Sequence, residues 1–150
     1  MATAYLLDTT VLLHWTRGKS QATVIEQQFK LMASPLRPLV CEVSLGEMMA
    51  FSRNPQWSDA QRQRMRAIHE HVTVIDISDR RVLEAYADLS TLAQSSRWSI
   101  FHGKNDLWVA AAAKVASAHL ITMDKDFLPL RGRDGWTVTI LDQKTALPLT

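Results

Sequence analysis

Short apolar runs alternate along this chain with longer stretches whose apolar residues recur every three or four positions. Ala4-Tyr5-Leu6-Leu7 has no charged residue and stops at Asp8, as expected of a central parallel strand covered on both faces. Two helical pieces follow, Thr10 to Trp15 running up to Gly18, then Val24, Ile25, Phe29 and Met32, spaced to form one apolar stripe. Pro35 and Pro38 interrupt the chain before a second strand, Leu39-Val40-Cys41, after which 45–51 reads as helix with Glu47 early in it. Ser58-Asp59-Ala60-Gln61 has the form of a capping box opening a helix that carries Met65 and Ile68. A third strand is expected at 72–75, and Val82, Tyr86, Leu89 and Ala93 mark one face of a helix starting near Asp79. The pattern predicts a loop over 95–103, with Asn105 as N-cap of an alanine-rich helix over 106–118. A fourth strand at 119–122, a turn around Asp124-Lys125-Asp126-Phe127 and an alternating edge strand at 137–141 complete the chain.

Strands alternating with helices predict an α/β fold with a mainly parallel sheet and right-handed crossovers. No repeat or linker divides the sequence, and 150 residues suit one domain over 1–150. A hydrophobic share of 47% against 21% charged residues is that of a chain with a packed core, not a disordered one. The net charge of +2 is too small to imply nucleic-acid binding, so any phosphate-binding surface must be local. Cys41 is the only cysteine and is read as a small buried apolar residue. No intrachain disulfide can form and residues 1–7 do not resemble a cleavable signal, so a cytoplasmic location is expected. The longest mainly apolar stretch, 107–116, is broken by Lys114 and falls short of the roughly 20 residues that span a bilayer, so no membrane segment is expected.

Acidic residues change the picture. Parallel sheets place their sites beyond the carboxyl ends of the strands. Asp8 and Asp124 lie at or just past strand ends, while Glu47 and Asp106 lie near helix starts. All four carboxylates can therefore meet at one end of the sheet, where they would raise one another's pKa unless a cation neutralised them. Oxygen donors of this kind select Mg²⁺ or Mn²⁺. His14, His69, His71, His102 and His119 together with one cysteine offer no recognised zinc spacing. The chain also has no Gly-x-Ser-x-Gly turn and no glycine-rich phosphate loop. A hard cation bound to acids promotes hydrolysis of phosphoesters by water.

Four segments, Leu6-Leu7-Asp8-Thr9-Thr10, Leu45-Gly46-Glu47-Met48, Asn105-Asp106-Leu107-Trp108-Val109-Ala110-Ala111 and Leu120-Ile121-Thr122-Met123-Asp124-Lys125-Asp126-Phe127, resemble in order and interval the motifs of PIN-domain proteins. The likeness covers nearly the whole chain and is greatest to VapC-type toxins of toxin–antitoxin pairs. It implies a three-layer α/β/α fold with a five-stranded sheet and an Mg²⁺- or Mn²⁺-dependent endoribonuclease activity. It also implies a cognate antitoxin and a homodimer. Carried over by motif position, Asp8, Glu47 and Asp106 are the core metal ligands and Asp124 the fourth acid, with Asp126 competing for that place. Thr9, Thr10 and Thr122 are then hydroxyl neighbours that orient carboxylates.

Each residue also has a plainer reading. Asp8 can be a helix cap, and Asn105 with Asp106 a cap plus a dipole-favoured acid. Glu47 can be an exposed helix residue, and Asp126 can cap its turn or face solvent. Arg97, Trp98, His102 and Lys104 are read as candidate phosphate or base contacts in one loop, against solvated charges and a packed tryptophan. Two other functions stay open on the same fold. One is a catalytically silent RNA- or protein-binding module; the other forms an aspartyl-phosphate on Asp8 and requires a lysine after a later strand.

Overall fold

A computed structural model describes residues 2–98 and 104–150. In it the strands β1 (Tyr5–Leu7), β2 (Leu39–Cys41), β3 (Thr73–Ile75), β4 (His119–Thr122) and β5 (Thr137–Ile140) form one sheet in the order β3-β2-β1-β4-β5. Every pairing in it is parallel. Helices α1 (Thr9–Arg17), α2 (Ser20–Phe29), α3 (Glu42–Ser52), α4 (Asp59–His71), α5 (Arg80–Ser96) and α6 (Lys104–Val115) flank it.

Alternation along the short strands sorts the side chains into two cores. Leu6, Cys41, Leu120, Val138 and Ile140 pack with Leu89 and Ala93 of α5 and Leu107, Ala110 and Ala113 of α6. Their neighbours Leu7, Val40 and Ile121 pack on the opposite face with Val11, Leu12 and Trp15 of α1, Ile25 of α2, Met48 of α3 and Met65 and Ile68 of α4. Successive strand residues point to opposite faces, so apolar runs without alternation produce a three-layer α/β/α arrangement. The sheet is the expected one.

Several boundaries differ from the sequence expectation, each for a local reason. The second helix ends at Phe29, where Lys30 turns left-handed at φ 52°, leaving Met32 outside it and 53% exposed. Helix α3 starts directly after β2, with Cys41 at its N-cap, so Glu47 lies in mid-helix. Helix α5 continues through Ser96 into the expected loop. Asn105 is not an N-cap: α6 includes Lys104, and Asn105 is exposed in the first turn. Helix α6 ends at Val115, with Ser117 left-handed at φ 50° before β4. The third and last strands are each one residue shorter than expected. Val72 caps α4, and Leu141 leaves β5 to form an isolated antiparallel bridge with Pro148. The capping box at Ser58 forms with both of its hydrogen bonds.

Among the described residues, no helix is long and apolar enough to cross a membrane.

Candidate active site

Asp8 leaves the sheet at the end of β1 and is the N-cap residue of α1, but its side chain makes no capping bond. It is 3% exposed, and its Oδ2 accepts from Thr122 Oγ1 at 2.7 Å and Thr10 Oγ1 at 3.0 Å. Each hydroxyl is in turn held by a backbone amide past the end of β4. Asp124 N donates to Thr122 Oγ1 and Met123 N donates to Thr10 Oγ1, both at 3.0 Å. The two threonines thus lock the ends of the two central strands together around one carboxylate. Burial pushes the pKa of Asp8 up, while the Thr122 and Thr10 hydroxyls pull it back.

Glu47 reaches the same place from α3, which packs against α1. Thr9 Oγ1 donates to its Oε1 at 2.8 Å. Asp106 arrives on the first turn of α6, where the positive end of the helix dipole favours an acid. Asp124 caps a 3₁₀ helix, Lys125–Leu130, by accepting from Asp126 N at 2.8 Å. Phe127, fully buried, pins that turn in the core.

Asp8, Thr9, Thr10, Glu47, Asp106 and Asp124 line one cleft of about 190 Å³, closed on its apolar side by Leu13 and Phe51. Asp126 joins from the edge: one carboxylate oxygen each of Asp106, Asp124 and Asp126 lies within 4.8 Å of the others. The capping role considered for Asp126 thus falls to Asp124, while the Asp126 side chain is half-buried beside the other acids. Crowding has a clear electrostatic result. The Asp106 carboxyl is pushed up to about 7, first by burial and then by the charges of Asp8, Asp124, Glu47 and Asp126.

Leu13 and Phe51 were not legible as site residues from motif spacing alone. Helical geometry offered a signal, because Phe51 stands one turn after Glu47, and Leu13 stands one turn after Thr9 and Thr10. Of the candidate phosphate loop, His102 and the Lys104 side chain lie outside the described residues. Trp98 packs against the core, with the Arg133 guanidinium 4.6 Å from its ring centre.

The family model for the PIN domain matches residues 5–131. The chain belongs to the PIN-domain family. The match includes the four acids that line the cleft and Asp126 at its edge, and it stops before β5. No curated protein sequence matches the chain significantly. Solved structures share the PIN fold over almost their full length. A chain of VapBC2 from Rickettsia felis, solved bound to a DNA fragment from the promoter, has a TM-score of 0.73 at 18% identity, covering 91% of this chain and 97% of that one. VapBC-1 from nontypeable Haemophilus influenzae gives 0.70 at 21% identity, covering 92% and 98%. VapBC-5 from Mycobacterium tuberculosis, a member of a family of toxin–antitoxin systems, gives 0.63 at 23%, covering 94% and 100%. At these identities the likeness concerns the PIN fold.

Proposed function

We propose that this PIN-domain protein is a divalent-metal-dependent endoribonuclease and the toxin member of a toxin–antitoxin pair. The observation that carries the reading is the convergence of Asp8, Glu47, Asp106 and Asp124 on one cleft, with Asp126 at its edge. The donor set fits a hard cation: the grouped ligand atoms are carboxylate oxygens, and among the described residues no histidine or cysteine lines the cleft. The raised pKa of Asp106 supports the same fit, because that carboxyl lacks a positive partner among the described residues. Asp8, Glu47 and Asp106 would hold the ion, with Asp124 as the fourth acid. Bound Mg²⁺ or Mn²⁺ supplies charge neutralisation and Lewis acidity for hydrolysis of a phosphodiester by water.

The protein's own residues prepare that chemistry. Thr10 and Thr122 commit Oδ2 of Asp8, which fixes the carboxylate plane before any ligand arrives. Thr9 does the same for Glu47. The Asp106 carboxyl, pushed up to about 7 by burial and the neighbouring acids, would be favoured as the carboxylate once a cation neutralised the site. Leu13 and Phe51 form an apolar wall on one side of the cleft.

The resemblance to chains from toxin–antitoxin complexes supports a cognate antitoxin that blocks the cleft, and the family pattern supports a homodimer working in the cytoplasm. The decisive experiment incubates the purified protein with single-stranded and structured RNA in Mg²⁺, in Mn²⁺ and in EDTA. Cleavage is expected only with metal and only while Asp106 is intact. Binding of RNA without cleavage under every condition would identify a silent binding module instead.

A further inference from the structure

Alongside the acidic cleft lies a second, larger one of about 690 Å³, and the two share Leu13 and Phe51 as their common wall. Its chemistry is different. Arg17, Arg53, Asn54 and Trp57 line it together with Phe51, which is 42% exposed. Arg17 and Arg53 are exposed and make no ion pair or side-chain hydrogen bond among the described residues.

The backbone that carries each of these cations is held from behind by α4. Arg17 is the last residue of α1, whose final carbonyls are capped by Arg64: Nε donates to Thr16 O at 2.8 Å and Nη2 to Arg17 O at 2.9 Å. Arg53 follows the last residue of α3, and Arg62 grips the backbone on each side of it, donating to Ser52 O at 2.9 Å and Asn54 O at 3.1 Å. Standing two apart on α4, Arg62 and Arg64 thus each make two bonds that close a different helix end. The Asn54 turn is tightened by Trp57 N donating to Asn54 O and Gln56 N to Asn54 Oδ1. The capping box at Ser58 then starts α4 immediately after Trp57.

We propose that this cleft is a subsite for single-stranded RNA next to the acidic centre. A base stacks on Phe51 or Trp57, and Arg17 and Arg53 contact phosphates flanking the one to be cut. Aromatic faces joined to unpaired guanidinium groups are the combination that holds unstacked nucleotides. Charge complementarity selects RNA over an apolar peptide as occupant, and the shared wall of Leu13 and Phe51 places a bound strand across both clefts. The proposal rests on reading the acidic cleft as the nuclease centre.

The test measures binding of short adenine-rich and uracil-rich RNA oligonucleotides, by fluorescence anisotropy over a range of salt, to the Asp106→Asn protein so that substrate survives. Arg17→Gln and Arg53→Gln should each reduce the slope of log affinity against log salt by about 0.7, one phosphate contact on a single strand. Phe51→Leu and Trp57→Leu should weaken binding roughly 10-fold with the slope unchanged. The use of two aromatic positions keeps the test open if one variant does not fold. Arg80→Gln, at an exposed α5 arginine paired with Glu84 at 3.1 Å, should leave affinity and slope unaltered. Absence of RNA binding, indifference to the Arg17 and Arg53 substitutions, or an equal effect of Arg80→Gln would each overturn the proposal. Cleavage by the unsubstituted protein is scored separately. The binding pattern without cleavage keeps the subsite and defeats the nuclease reading, and cleavage without the pattern does the reverse.

Discussion

The two halves of the acidic cleft solve the same electrostatic problem in opposite ways. On the β1–α3 side, Asp8 and Glu47 receive three threonine hydroxyl bonds, of 2.7, 3.0 and 2.8 Å. On the α6–β4 side, one oxygen each of Asp106, Asp124 and Asp126 is held within 4.8 Å of the others. Among the described residues, the hydrogen bond received there comes from the backbone of the same turn, Asp126 N to Asp124. Hydroxyl donors stabilise a buried carboxylate without any ion, whereas the Asp106 carboxyl, with no such donor among the described residues, is pushed up by burial and by the acids around it. The first half is therefore organised in the apoprotein, and the second is the half that a metal would reshape.

Metal removal tests that contrast most severely. In EDTA, cleavage should fall to the uncatalysed level, and the Mg²⁺ and Mn²⁺ forms should melt higher than the metal-free form, because a ligand bound only by the folded state stabilises it. Equal activity with and without chelator would break the comparison at its root. Next in size is Asp106→Asn, which should cost more than about 100-fold in cleavage, beyond the ~10–100-fold typical of groups that merely orient a metal ligand. In EDTA the same variant should melt higher than the parent. If it unfolds, Asp106 serves the helix and not the cleft.

The hydroxyl half should behave differently. Thr122→Val leaves the Asp8 carboxylate short of a donor and Asp124 N short of an acceptor. It should therefore destabilise the metal-free protein by about 1–3 kcal/mol in denaturant melts, whereas Asp106→Asn stabilises it. Opposite signs for the two variants are the sharpest statement of the difference between the halves.

A subtler effect follows from pH. In the folded protein Asp106 titrates at about 7, against 3.8 for an ordinary aspartate. Between those values the folded state holds a proton that the unfolded state has lost, so the stability it contributes is complete below the lower value and declines as pH rises toward the upper one. Metal-free melting temperature should thus drop from about pH 5 to about pH 8, and the drop should shrink in Asp106→Asn. His69 and His119, whose pKa values are lowered by burial, act in the opposite direction. The difference between the two proteins is for that reason the quantity to read. The smallest expected effect separates the last two acids. Asp124→Asn should weaken metal affinity more than Asp126→Asn does, because Asp124 lines the cleft itself while Asp126 reaches the cluster from its edge. Isothermal titration of both variants with Mn²⁺ measures it, and the reverse order would move the fourth ligand two residues along.

Much of this is legible in the sequence. The apolar run ending at Asp8 predicts a central strand and 119–122 a further one, and the acids that follow strands or open helices predict a polar site at the carboxyl edge. Boundaries were less legible, because helix ends depend on cheap local choices. A left-handed Lys30 ends α2 before Met32, and α6 starts far enough upstream to deny Asn105 its expected capping position. The threonines beside Asp8 could be named from their motif, but which hydroxyl would serve which carboxylate could not. Thr9 and Thr10 are adjacent in sequence, yet one turns to Glu47 and the other to Asp8, since neighbouring residues diverge by about 100° around a helix.

Local patterning by itself determined most element types, an α/β fold with a mainly parallel sheet, and the residue types able to hold a hard cation. All of these depend on periodicity and side-chain chemistry within short windows. Tertiary structure alone decided what those residues do to one another. The burial of Asp106 on α6, and the charges of Asp8 after β1, Glu47 of α3 and Asp124 and Asp126 at the 3₁₀ turn, together lift its pKa. The arginines of the neighbouring cleft become available because Arg62 and Arg64, on a different helix, cap the ends that carry them. Contacts separated by 38 to 114 residues in sequence, such as Thr9 with Glu47 and Thr122 with Asp8, form when the crossovers bring strand ends together. Electrostatic energy depends on that separation in space, which no window along the chain contains.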